Sequence, residues 1–439
     1  MAMARSFKLL QTLFLVFSWQ SCGKTSAALD TISDAVNDLD AVLSSGNRGR
    51  GKVYDVRKYG AKANGKNDDV QAFMTAWIAA CRNTSGPATL LIPGGRFLVG
   101  PLVFAGPCRS SPITLEIQGT VKATTDISEY SSPEWFSIED IKNFILTGAG
   151  VFDGQGAAAW PYNNCKKDIS CQSLPISIKF SRLNHTIVNG LTSVNSKGFH
   201  TSVFDCYNFT AMNMKITAPG NSPNTDGMHL STSKLVTISD SVIGTGDGCV
   251  SIGHSCEKVT VTNVTCGPGN GLSVGSLDKY PKEKSVVGVL VKNCTIFNTT
   301  NGARIKTWAG TVSGLATKII FEDIIMRNVK NPIIIDQTYG TKQKKESKWK
   351  ISDVHFKNIR GTSTTNVAVL LECSALAQGA WRLEEGECRA WPWAELGCTE
   401  HGSGLSRAQL DSSGSSGSLF DSLLVALSFV LCITIASYS

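Results

Sequence analysis

Five polar residues in the second half of the chain could do chemistry together: Asp226, Asp247, Asn270, Arg304 and Lys306. Two carboxylates held close together cannot both ionise freely, so one keeps a proton that it can donate to a leaving oxygen. Two nearby cations would hold the carboxylate of an acidic substrate, arginine through its planar fork and lysine as a point charge. The set therefore reads as general acid catalysis on an acidic sugar. Taken singly, each residue reads as a solvated polar group at a turn. Only their convergence in one cleft makes them a site, and that convergence has to come from the fold.

The elements that would bring them together repeat. The segments TIVNGLTSV, TAMNMKITA, VTISDSVIG, VTVTNVTCG, VLVKNCTIF, IIFEDIIMR and WKISDVHFK surround Asn189, Asn213, Asp240, Asn263, Asn293, Asp323 and Asp353. Their anchors are 24, 27, 23, 30, 30 and 30 residues apart. A period in this range marks a solenoid. Alternation with period two and β-branched content make the units strands rather than helices. Stacking them predicts an all-β fold, a right-handed parallel β-helix with Asn/Asp ladders at its turns. A β-sandwich is disfavoured because Asn-Gly hairpin signals do not recur between strands. The open end of such a stack must be covered. Asn67-Asp68 offers a helix N-cap, and Val70, Phe73, Met74, Trp77, Ile78 and Cys81 recur at helical spacing, which predicts an amphipathic capping helix over 68–81.

Register then places the polar residues. Asp247 lies seven residues after Asp240, and Asn270 seven after Asn263. Equal offsets put both at one corner of adjacent coils, roughly 4.8 Å apart. Asp226 precedes the similar strand Met228–Leu230 one coil earlier, and Arg304 and Lys306 share a strand face one coil later.

Composition agrees. The chain has 439 residues, 42% hydrophobic, enough for a sizeable core. Only 18% are charged and 41 are glycine, which argues against a coiled coil, a charged helical bundle or a disordered chain. The net charge of +7 contains no block of five or more basic residues, so no nucleic-acid partner is expected, while a polyanion remains a fitting one. Arg5 and Lys8, an apolar run from Leu9 to Trp19 and small residues to Ala28 have the layout of a signal peptide over 1–28. Fourteen cysteines fit an oxidising compartment. Cys81 with Cys108, Cys165 with Cys171 and Cys249 with Cys266 are plausible short-range bridges, and Cys206 and Cys294 plausible buried thiols. Glycosylation sequons at Asn83, Asn184, Asn208, Asn263, Asn293 and Asn298 also suit a secreted glycoprotein.

The segments SPNTDGMH, IGTGDGCVSIG, CGPGNGLSVGSLDKYP and NGARIKTW resemble the signature segments of plant polygalacturonases. The resemblance covers roughly residues 52–372 and includes VFDGQG at 151–156 and NPIIIDQ at 331–337. The DKYPKEK stretch looks like the exo-acting, pollen-type branch. The resemblance implies an inverting glycoside hydrolase on a parallel β-helix, secreted to the cell wall, monomeric and cofactor-free, cleaving the homogalacturonan of pectin. It implies that Asp247 is the general acid and Asp226 a water-activating carboxylate. It implies further that Arg304 and Lys306 bind substrate carboxylates, that Asn224 and His229 support the first acid, and that Tyr339 is a subsite tyrosine.

Two departures stand out. Where the family reads Gly-Asp-Asp-Cys this chain has Gly246-Asp247-Gly248-Cys249, and where it reads Gly-His-Gly this chain has Gly269-Asn270-Gly271. A second water-activating aspartate and a histidine thought to tune the acid are missing. Losing one positioned acid–base group costs about 10²–10⁴ in rate. The expectation is an intact fold and groove with turnover weakened or lost; the alternative is a non-catalytic pectin-binding cell-wall protein. A calcium-dependent lyase is disfavoured by the few acids in the cleft, and no zinc spacing or phosphate loop is visible, so no metal is expected.

The β-helix is expected over 52–373. Residues 374–418 lose the alternating pattern and end in the flexible run SSGSSGS, and 419–439 is mostly apolar. The tail reads as a short transmembrane helix, as a lipid-anchor signal, or as sequence foreign to the fold. A break inside a repeat that needs capping favours the last. A membrane partner is expected only if the apolar segment is a real anchor.

Overall fold

The computed structural model describes residues 51–82, 85–163, 171, 173–310, 312–340, 347–374, 381–384 and 405–411. From Lys52 onward they form a right-handed parallel β-helix whose strands fall into two sheets, of 20 and 11 strands. The smaller sheet matters most for the site. It runs through Thr201–Phe204, Met228–Ser231, Val250–Ile252, Leu272–Leu277, Asn301–Trp308 and Asn331–Tyr339, each pairing in parallel with the next. Alternation decides which side chains go in. Leu230, Ile252, Val274, Ile305 and Ile335 occupy one register column, and all are buried. Each such side chain contributes roughly 1.5–3 kcal/mol by leaving water. The residue before each of the first four, His229, Ser251, Ser273 and Arg304, points to the opposite face.

The turn ladder exists, with two changes of register. Asn213, Asp240, Asn263, Asn293 and Asp323 all have φ between 50° and 55°, a left-handed conformation that short polar side chains tolerate. Asn263 donates to Asp240 at 2.6 Å and Asn213 to Asn189 at 2.9 Å. Asn189 itself pairs with Met212, so the backbone mate of Asn213 is Gly190. At the other end, Asn358 donates to Asp323 at 2.8 Å, and Glu322 is in register with Lys357. Asp353, expected at that corner, instead follows Ser352, the register mate of Thr317, and so belongs to a different corner. The coil from Asp323 to Asn358 is 35 residues, against 30 for the coil before it. Both corners are left-handed and accept Asp or Asn, so composition alone does not tell them apart.

The capping helix spans Val70–Arg82, starting two residues later than expected. Asp68 accepts from the Val70 and Gly100 N–H groups at 3.0 and 3.2 Å. Asp69 is buried and accepts from Lys62 N–H, while its carbonyl receives the Phe73 N–H. Ile78, expected in the apolar stripe, is 51% exposed; Phe73, Trp77 and Cys81 are buried as expected, Val70 and Met74 are half-buried, and Ala72, Ala76 and Ala80 complete the buried face. A step of about 100° per residue turns Ile78 outward once Trp77 is seated. Trp77 stacks on Phe104 at 4.6 Å, and Cys81 is bridged to Cys108.

Cys249 is bridged to Cys266. Cys171 is disulfide-bonded, and its expected partner Cys165 lies outside the described residues. Cys206, Cys256 and Cys294 are buried free thiols. Strand pairing continues past residue 373: Trp381–Glu384 adds in parallel to Lys350–Ser363, and Leu405–Asp411 pairs antiparallel with Val367–Ser374. The signal segment 1–28, the sequon at Asn83 and the apolar segment 419–439 lie outside the described residues. Among the described residues no helix is long and apolar enough to cross a membrane.

Candidate active site

Met228, Val250 and Leu272 are register partners. Two residues before them stand Asp226, Gly248 and Asn270, one per coil, at the mouth of the strands. Asp226 is buried, and its Oδ2 accepts from Ser251 Oγ at 2.6 Å. Burial, and then the negative charge of Asp247, push its pKa up to about 7. Asp247 is half-buried, and its Oδ1 accepts from the Gly248 N–H at 2.9 Å and from Asn270 Nδ2 at 2.7 Å. Asn270 thus addresses the Asp247 carboxylate through its side-chain amide. An amide can donate there but can neither carry charge nor exchange a proton at ordinary pH.

Gly248 is the gap in the middle. A Cβ added there would stand 2.6 Å from Ser251 Oγ and 3.2 Å from Asp226 Oδ2. A side chain at 248 would thus enter the space between these two groups, which the Ser251 hydroxyl now reaches. Ser251 was not singled out in the sequence. The available signal was its offset: Ser251 and Ser273 are 22 residues apart, as are Gly248 and Asn270, so they are equivalent positions on adjacent coils.

The cations face this column from the strand Asn301–Trp308. Arg304 is in register with Ser273, and Lys306 lies two residues further on the same face. The Arg304 guanidinium approaches Asp336 Oδ2 at 3.5 Å and lies 4.9 Å from the Tyr339 ring centroid; Lys306 Nζ is also 4.9 Å from that centroid. Burial, and then Arg304, pull the Lys306 pKa down, opposed by the charges of Asp226, Asp247 and Asp336. Burial likewise pushes the Tyr339 phenol up. Asp336 is a second residue that the sequence reading passed over. It lies 30 residues after Lys306, one coil period, and pairs with it in register.

His229 sits on the same sheet face, its ring 5.1 Å from that of Phe199. Burial, Lys306 and His254 together lower its pKa to about 4, so it is neutral at physiological pH. Asn224 is exposed at φ 55° in the turn leading to Asp226. The fold thus brings Asp226, Asp247, Gly248, Asn270, Arg304, Lys306 and Tyr339 to one face. His229 borders Lys306, and Asn224 stands at the rim.

The profile described as glycosyl hydrolases family 28 matches residues 81–394. An exopolygalacturonase of Arabidopsis thaliana is 49% identical over 328 residues, covering 75% of this chain and 76% of that one. An exopolygalacturonase of Platanus acerifolia is 46% identical over 328 residues, covering 74% and 86%. Among solved structures, an exopolygalacturonase from Thermotoga maritima superposes with a TM-score of 0.62 at 20% identity, over 76% of this chain and 90% of that one. An endo-xylogalacturonan hydrolase from Aspergillus tubingensis gives 0.67 at 23% identity, over 76% and 91%. At those identities the structures share the fold, while the plant sequences and the profile carry the family. The chain belongs to glycosyl hydrolases family 28 and is a glycosidase by family.

Proposed function

We propose that this protein is a secreted, monomeric polygalacturonase-like enzyme that hydrolyses the α-1,4-linked galacturonan of pectin in the cell wall, from the chain end and with inversion, at a weakened rate. The observation that carries the reading is a pair of neighbouring carboxylates, Asp226 buried and Asp247 half-buried, with two cations and a tyrosine ring on the same face of the β-helix. Arg304 and Lys306 hold the uronate carboxylate, and the Tyr339 ring gives the sugar a flat wall. Asp247 donates a proton to the glycosidic oxygen as the bond to the anomeric carbon breaks. Asp226 takes a proton from the water that attacks the opposite side of that carbon, so the two carboxyl groups exchange protonation states over one turnover. No cofactor enters these steps. The leader-like N-terminus and the disulfides support secretion, and the exopolygalacturonase relatives support action from the chain end.

Three features slow it. No carboxylate stands at Gly248 to share the work of activating water. Asn270 addresses Asp247 where the family has a histidine. Burial and the Asp247 charge raise the Asp226 pKa to about 7, so this carboxyl holds its proton more tightly than a general base should. These same features favour the second reading, a pectin-binding protein without turnover.

Incubating the purified protein with polygalacturonate and counting new reducing ends separates the two. Slow release of monogalacturonate, absent in Asp247→Asn, supports the enzyme. Release no greater than from Asp247→Asn, with binding retained, leaves only the binding protein.

A further inference from the structure

Beyond Tyr339 the cationic and aromatic surface continues. Trp308, on the same strand as Arg304 and Lys306, meets the Tyr339 ring edge-on at 5.2 Å between centroids. Lys279 Nζ lies 5.6 Å from the Trp308 ring and 5.1 Å from the Tyr280 ring. Each neighbour in the series Lys306, Tyr339, Trp308, Lys279 is therefore about one ring contact from the next. Lys279 is exposed, Tyr280 is 57% exposed, and Lys279 is in no ion pair among the described residues.

The turn that carries them is built rigidly. Glu283 is buried, and its carboxylate is committed to backbone: it accepts from the N–H groups of Asp278, Lys279 and Tyr280 at 2.7, 3.1 and 2.9 Å. Asp278 in turn accepts from Val312 N–H at 2.9 Å. A side chain at Gly310 would collide with the Asp278 carbonyl, so the two loops close on one another only because that position is glycine. An exposed lysine and tyrosine on a turn fixed by a buried carboxylate are placed in advance, which lowers the ordering cost of binding.

We propose that Lys279, with Trp308 as its wall and Tyr280 at its rim, forms a second acidic-sugar subsite beyond the one at Arg304, Lys306 and Tyr339. It would take the carboxylate of a further uronate in the same chain. The proposal rests on the polygalacturonan reading above and extends it from one uronate position to two on this side of the groove. The ligand class is a de-esterified oligogalacturonate long enough to span both positions. A lysine in water binds a methyl-esterified sugar with none of this advantage.

Titration calorimetry on the full chain carrying Asp247→Asn, which keeps the substrate intact, tests it with oligogalacturonates of increasing length. Affinity should rise with length, and Lys279→Met should remove one step of that rise. Oligomers long enough to reach Lys279 should bind about tenfold more weakly and shorter ones unchanged, as expected for losing one charged contact. Methyl-esterified oligomers should bind both forms alike. A Lys279→Met chain that binds every length like its parent, or weakens every length equally, overturns the subsite. Arg304→Ala is the separate control. If it leaves all binding intact, the polygalacturonan reading fails; if it abolishes binding while Lys279→Met changes nothing, only the second subsite fails.

Discussion

The two ends of the site stand on neighbouring coils of one sheet yet differ in chemistry. At the cation end Arg304 and Lys306 both lie against the Tyr339 ring. At the carboxylate end Asp226 and Asp247 remain, but glycine and asparagine stand at 248 and 270. The fold does not register the difference, because both altered positions lie at the coil mouths, while the stack is held by the inward column of Leu230, Ile252, Val274 and Ile305. On the function proposed above, recognition and turnover would separate without a cost in folding. At the carboxylate end the Ser251 hydroxyl donates to Asp226.

The sharpest way to test that separation is to restore the missing groups. Gly248→Asp with Asn270→His should raise reducing-end release by about 10²–10⁴ if the groove is otherwise sound. The Ser251 hydroxyl must rotate away to admit the new Cβ, so adding Ser251→Ala should raise the rate further. No gain in either form would place the defect outside these positions.

Removing the Cys249–Cys266 bridge tests whether the carboxylate end depends on its own staple. The bridge closes a 17-residue separation spanning the coils of Asp247 and Asn270. Cys249→Ala with Cys266→Ala should cost about 3 kcal/mol in denaturant unfolding. A loss well below 1 kcal/mol would mean that the stack alone holds this corner.

The cation end should respond in binding and not in stability. Arg304→Ala should weaken polygalacturonate binding roughly 10- to 100-fold, as for a charged hydrogen-bonding group. An equal effect on the urea midpoint would instead identify a structural role with Asp336.

The pH profile is the gentlest probe. The Asp226 carboxyl is raised from the ordinary 3.8 to about 7 by burial and by Asp247. A group that holds its proton more tightly when folded contributes stability that is fully present below the unfolded pKa and is lost as pH rises through the folded one. Taken alone this lowers the urea midpoint between about pH 4 and pH 7, while the buried His200 and His229, held down to about 3 and about 4, raise it as pH climbs toward the ordinary histidine value. Asp226→Asn should therefore make the midpoint rise more steeply with pH over that interval. An unchanged slope would show that Asp226 is not the titrating group.

Much of this was legible in the chain. Period-two alternation and a 23- to 30-residue repeat are local properties, so the β-helix and the shared face of Arg304 and Lys306 could be read directly. Ile78 was misplaced because several helix phases fit six apolar residues, and seating Trp77 on Phe104 selects one. Asp353 was misplaced because one coil is five residues longer than its predecessor, and equal spacing could not reveal it. Ser251 and Lys279 were passed over because a serine in an apolar strand and a lysine in a turn are ordinary until their neighbours are known.

The amino-acid sequence by itself determined which strand residues face inward and that short polar residues stand at left-handed turns, because both follow from side-chain parity and local sterics. Only the tertiary structure decided which coil lies against which, and hence that Ser251 reaches Asp226, that Asn270 addresses Asp247 and that Lys279 stands over Trp308. Those contacts depend on the lengths of the intervening loops and on the register of whole coils, and no short segment carries that information.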